Sequence, residues 1–163
     1  MSMIGNYLRI SPALLERLRQ DPSDITTVLY PNQEHEHPEG IHLDIDKAWH
    51  AIQFLLTGDP WKGAAPLQNA VMGGTELGEE DVGYGPARSL SAAEVQAVAQ
   101  ALGSISGEQL WSRFDAQAFS AAEIYPQGWE SDGREYVVGN YDALRAFFRD
   151  AARSGDAMIL YLS

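Results

Sequence analysis

The chain contains no cysteine. Disulfides, thiolate zinc sites, iron–sulfur clusters and cysteine nucleophiles are thereby excluded. Positive charge is scarce as well: eleven Lys and Arg stand against twenty-three Asp and Glu, a formal net charge of −12. A field of that sign repels phosphate backbones and anionic lipid, so neither nucleic acid nor membrane is expected as a partner. It suits a basic protein partner or a cationic ligand, and equally a surface charged only for solubility. Long apolar runs are missing too. The longest, Met158 to Leu162, is far too short to span a bilayer. The N-terminal MSMIGNYLRISP has no charged leader ahead of a long apolar stretch, so no secretory signal is visible and the cytoplasm is the expected location.

Several catalytic signatures are also absent. There is no G-x-x-x-x-G-K-[ST] phosphate loop, no G-x-S-x-G nucleophile turn and no H-E-x-x-H zinc helix. Gly83-Tyr84-Gly85 supplies a G-x-G, but Pro86 follows and the third glycine is lacking, so no dinucleotide fingerprint is formed. No cofactor is expected.

What is present is the composition of one ordinary domain. The 163 residues are 45% hydrophobic, enough to fold and to bury roughly two-thirds of the unfolded surface. No repeat or linker divides residues 1–163. Residues 3–10 mix apolar and β-favouring side chains and read as a strand. Ser11-Pro12 opens a helix with Ser11 as N-cap, striped by Leu14, Leu15 and Leu18 and ended by Pro22. Ser23 or Asp24 caps a shorter helix through Leu29. Residues 31–40 are a polar surface loop. The segment LDIDKAWHAIQFLLTG is the strongest helix signal: Asp44 as cap, Ile45, Ala48, Trp49, Ile52, Leu55 and Leu56 at helical spacing, and Gly58 as the left-handed stop.

Residues 59–90 are glycine- and proline-rich and irregular, with a helical turn at 66–71 and room for a strand within 76–90. Ser91 and Glu94 form a capping box opening a helix to Leu102. Ser106 and Asp115 cap short helices at 107–113 and 116–122. A longer helix is predicted over 140–154 with Asn140 as cap, and AMILYL at 157–162 reads as a buried strand. These elements predict an α/β domain (α+β is the alternative): a small mixed sheet holding the N- and C-terminal strands, packed by six or seven helices.

MSMIGNY at the N-terminus, DIDKAWHAIQFLLTG, the Gly73-Gly74 pair, GYGPAR at 83–88 followed by LSAAEV, IYPQGW at 124–129 and the closing YDALRAFFRDAARSGDAMILYL occur in an order that resembles the YfbM-like family, a bacterial family of unknown function. The resemblance covers nearly the whole chain. It implies a small single-domain α/β fold and no particular reaction. The histidine-containing stretch 33–42 is not part of that pattern.

Four constellations bear chemistry. His35, His37 and His42, interleaved with glutamates, carry metal-ligating groups, but an exposed loop lacks the outer hydrogen bonds that orient ligands, and a solvated polar loop is the simpler reading. Lys47 and His50, three residues apart, can share a helix face and bind an anion or move protons if that face borders a cleft; otherwise they are solvated charges at a helix start. GYGPAR offers Tyr84 as a platform and Arg88 as a planar donor fork, which can clamp a carboxylate or phosphate, or instead cap helix carbonyls or pair with an internal acid. Tyr125 and Trp129 bring aromatic area to a loop, for binding or for pinning the loop itself.

Three functions follow, the last a metal-binding protein that uses the histidine loop with His35, His37 and His42; the other two lead. One is a non-enzymatic binding or interaction domain, acting as a monomer or weak homodimer on a basic partner, in the manner of an immunity protein. The other is a small enzyme or ligand-binding protein for an anionic small molecule, with Lys47, His50, Tyr84 and Arg88 converging.

Overall fold

A computed structural model describes residues 2–32 and 36–163. Its centre is a five-stranded sheet of β1 (Gly5–Ile10), β2 (His42–Asp44), β3 (Thr75–Glu76), β4 (Arg88–Leu90) and β5 (Ala157–Leu162), in the order β2-β1-β5-β4-β3. The N- and C-terminal strands lie side by side, with Tyr7 opposite Leu160, and Leu160 in turn opposite Arg88. Every pairing is antiparallel, so the sheet is antiparallel rather than mixed. Seven α-helices accompany it among the described residues: α1 (Pro12–Gln20), α2 (Ile25–Leu29), α3 (Trp49–Thr57), α4 (Ala92–Gly103), α5 (Gly107–Trp111), α6 (Ala116–Ala121) and α7 (Arg134–Arg153). None is long and apolar enough to cross a membrane.

Strand alternation sorts the core into two layers. Tyr7, Leu90, Met158 and Leu160 meet the buried faces of α3, α4 and α7. Leu8, Ile10, Ile159 and Tyr161 meet α1 and α2 on the other side. β5 is covered on both faces, which is why its sequence is apolar without alternation.

The local signals act as chemistry requires. Ser11 Oγ accepts the N–H of Leu14 at 3.1 Å, and Ser91 and Glu94 form their reciprocal capping box. Three boundaries depart from expectation. Asp44 does not cap a helix: it pairs with Asn6 in β2, and its carboxylate accepts the N–H of Asp46 at 2.6 Å. Asp46 then takes a positive φ of 53°, which breaks the helical path, so residues 46–48 form a tight turn and α3 starts only at Trp49. Asp21, not Ser23 or Asp24, caps the turn that leads into α2 by accepting the N–H of Ser23. The long helix begins at Arg134, before the expected residue 140. Asn140 lies inside it, its side-chain amide donating to the Tyr136 carbonyl one turn back, and the buried stripe runs from Val137 through Tyr141 and Leu144 to Phe148.

Candidate functional site

The site begins with the segment ahead of β1 and the late start of α3. Trp49 opens α3, is fully buried, and donates its indole N–H to the Met3 carbonyl at 2.9 Å. His50 follows and is buried as well. The backbone N–H of Tyr125 donates to His50 Nδ1 at 2.8 Å. Nδ1 is therefore an acceptor, the ring proton sits on Nε2, and Nε2 donates to the Pro60 carbonyl at 3.1 Å. One neutral imidazole thus joins two loops to the helix. Burial holds its pKa below the ordinary histidine value, and the bond to Pro60 offsets part of that.

The loop after α3 is built around Gln53 and Asp59. Gly58 turns the chain at φ 76°. The Asp59 carboxylate accepts the N–H groups of Trp61 and Lys62 at 2.9 and 2.7 Å, and these bonds hold its pKa below the usual range. Gln53, buried, donates to Gln68 Oε1 and accepts from the Met72 N–H. The result is a fixed position for Trp61, a residue 50% exposed although its ring lies 4.4 Å from that of His50, and the most exposed large hydrophobic among the described residues.

From Trp61 the rings form a connected belt. Trp49 stacks on His50 at 4.9 Å and on Tyr125 at 5.7 Å. The Tyr125 hydroxyl accepts the Met3 N–H, and its carbonyl accepts the Trp129 indole N–H at 3.1 Å. Trp129 stacks on Tyr136 at 6.2 Å. The exposed Tyr136 hydroxyl donates to Asp46 Oδ2 at 2.6 Å and accepts the Lys47 backbone N–H at 2.9 Å. Partial burial and the bond to Asp46 raise its pKa to about 12. Carboxylates dominate around this end: Asp44, Asp46, Glu123, Glu130, Asp132 and Glu135 are exposed.

Residues 1–161 match the family described as Domain of unknown function (DUF1877). The chain belongs to this family. A DUF1877 chain of this fold also resembles the crystal structure of YfbM, a protein of unknown function from Escherichia coli, with a TM-score of 0.72 and 24% identity, over 98% of this chain and 99% of that one. At that identity the likeness speaks for the fold. No curated protein matches.

In this DUF1877 chain His50, Tyr125 and Trp129 come together in the belt, and Lys47 joins them through its backbone contact with Tyr136. Arg88 and Tyr84 are placed elsewhere. Arg88 turns into the α3 side of the sheet, where Nη1 donates to the carbonyls of Val71 and Gly73, both at 2.7 Å. Desolvation lowers its pKa, and the neighbouring Tyr7 and Glu76 act against that shift. The narrow gap beside it is lined by Tyr7, Trp49 and Leu160, among others, and by none of Lys47, His50 and Tyr84. Tyr84 sits on the turn over the end of β5, its N–H donating to the Leu162 carbonyl at 3.0 Å.

Of the histidine loop, His35 lies outside the described residues. His37 and His42 stack at 5.2 Å, with Nε2 of each bonded to the Leu29 carbonyl and to Asn6 Oδ1 respectively. Among the described residues no three His, Asp or Glu groups converge in a way that could hold a metal ion. Sequence reading missed Trp61 and Tyr136. Trp61 lies in an irregular loop with no periodicity to flag it. Tyr136 was findable: the apolar stripe Tyr141–Leu144–Phe148 extends back to Val137, which places residue 136 on the exposed side of the first turns.

Proposed function

We propose that this chain is a non-enzymatic interaction domain that engages a basic protein through the face running from Trp61 to Tyr136. The observation that carries the reading is Trp61: half-exposed, yet held on His50 and on the Asp59 turn. Held aromatic rings with open surface are the residues that dominate interface energetics, because they desolvate a large area at small entropic cost. The six exposed carboxylates at the far end of the belt favour a cationic partner and speed its approach. The groups best suited to acid–base or anion chemistry are already engaged, His50 at both ring nitrogens and Arg88 at two carbonyls. A small acidic chain of this kind suits an immunity-type role in the cytoplasm, neutralising a basic protein.

The test is affinity capture from native extract at low salt, with the retained protein identified by mass and then rebound in purified form. A basic protein is expected, with binding that weakens as salt rises and falls about tenfold or more in Trp61→Ala. Equal binding by Trp61→Ala, or a partner without net positive charge, overturns the reading.

A further inference from the structure

Behind Trp129 the loop 124–130 and α6 enclose a cleft of about 130 Å³. Phe119 and Ile124 form its apolar wall, Trp129 and Gly128 a second side, and Gln127 and Glu130 the polar rim. Size decides first what it can hold. Sites for small molecules and cofactors occupy about 300–1,000 Å³, whereas a cavity of about 150 Å³ holds a single benzene ring. This cleft therefore fits one side chain.

Charge decides which. Between Arg113 and Arg134 the chain has no lysine or arginine, but it has Asp115, Glu123, Glu130 and Asp132. The two flanking arginines are engaged: Arg113 donates to the Leu55 carbonyl at 3.0 Å, and Arg134 lies 3.9 Å from Glu108. Asp115 caps α6. Glu130 has an exposed side chain at the rim and no ion pair among the described residues. The Trp129 N–H is already given to Tyr125, so the indole lines the cleft without a donor to spare. Phe119 meets that ring edge-on at 6.3 Å. A small slot that joins two aromatic side chains to a polar rim with one carboxylate free of ion pairs is the chemistry that recognises a guanidinium: planar, weakly hydrated, content to lie against an aromatic ring while its donors reach a carboxylate. An ammonium, more strongly hydrated, gains less from such a wall.

The cleft is also pre-shaped. Gln127 and Gly128 both hold positive φ, 74° and 79°, and the Gln127 N–H donates to the Ile124 carbonyl at 2.8 Å. A ligand need not order the loop, which removes one of the costs of binding.

We propose that this cleft is an anchor pocket for one arginine side chain of a protein partner, with Trp129 and Phe119 as the wall and Glu130 as the counter-charge. The proposal rests on the interaction reading above and adds to it the identity of the recognised residue and its place. The test uses the full isotope-labelled chain and a short Gly/Ser peptide carrying a single arginine, with the same peptide carrying citrulline as the uncharged isostere. The arginine peptide is expected to shift the Trp129 indole and Gly128 amide resonances saturably. Citrulline in place of arginine, and Glu130→Gln in the protein, should each weaken that binding about tenfold. Glu130 is exposed, so the variant retains the fold, which its remaining resonances will report. Equal shifts with citrulline, or shifts spread over the acidic surface without those two resonances, overturn the proposal. The two readings fail separately. An arginine-binding cleft in a chain that captures no basic protein keeps the pocket and removes the partner. A captured basic protein with an inert cleft removes the pocket and keeps the partner.

Discussion

The backbone N–H of Tyr125 donates to Nδ1 of His50 at 2.8 Å, across 75 positions of sequence. With Nε2 donating to Pro60 on the opposite side, one side chain sets the separation of the loop that carries Trp61 and the loop that carries Tyr125 and Trp129. The histidine acts as a spacer whose tautomer is dictated by what it joins.

Replacing His50 by alanine leaves the Tyr125 N–H and the Pro60 carbonyl without their partner and opens space beneath Trp61. The loss of two partly buried hydrogen bonds together with the packing of a buried ring is expected to cost about 3 kcal/mol. Urea denaturation will measure it. A loss below about 1 kcal/mol would mean that water or a loop shift replaces both bonds.

Stability should also fall on mild acidification. His50 and His42 both have folded-state pKa values below the ordinary histidine value of 6.5, each chiefly through burial. The unfolded chain then takes up protons first, so the histidine contribution is fully present above 6.5 and is lost as pH drops toward the lowered folded values. A separate loss follows at stronger acidity, because Asp21 and Asp59 have folded pKa values below 3.8, held down by backbone N–H donors. Denaturation midpoints measured from pH 8 to 5 should decline below 6.5, and the decline should shrink in His50→Gln. A flat profile contradicts the assignment of His50 as a neutral buried ring.

Arg88 fastens the 71–73 backbone to the sheet through two charge-assisted bonds. Arg88→Ala should destabilise the chain by about 3 kcal/mol, since two carbonyls lose their donor and a gap opens beside Tyr7. Arg88→Lys should recover part of this, because an ammonium supplies charge without the planar fork. Thermal melts of the two variants check the order. An Arg88→Ala chain as stable as the parent would instead point to an arginine kept for a ligand.

What was legible in the sequence is what is local. Ser11, Ser91, Ser106 and Asp115 announce their helices because a cap is a bond between neighbours, and β5 announces itself by apolar content. The start of α3 was not legible, since Asp44 serves a strand pairing with Asn6 that no local rule contains. Asn140 misled for the converse reason: a residue that often caps a helix can also bond one turn back within it. At the site, the aromatic content of residues 124–129 was visible, but not that His50 is used on both sides. That depends on two loops meeting the same ring, from 10 and 75 positions away.

The place of β5 in the sheet bears on how the chain acquires its shape. Among the described residues β5 is the only strand that touches both β1 and β4, so it is the piece on which both halves of the sheet close. Until residues 157–162 have been synthesised, Tyr7 and Leu8 on one side and Leu90 on the other have no strand between them. Helix formation and capping can proceed along the growing chain, but the sheet cannot close. Folding is therefore set by pairings between distant parts of the sequence, the slow kind, and the nascent chain carries two open strand edges until the closing strand arrives.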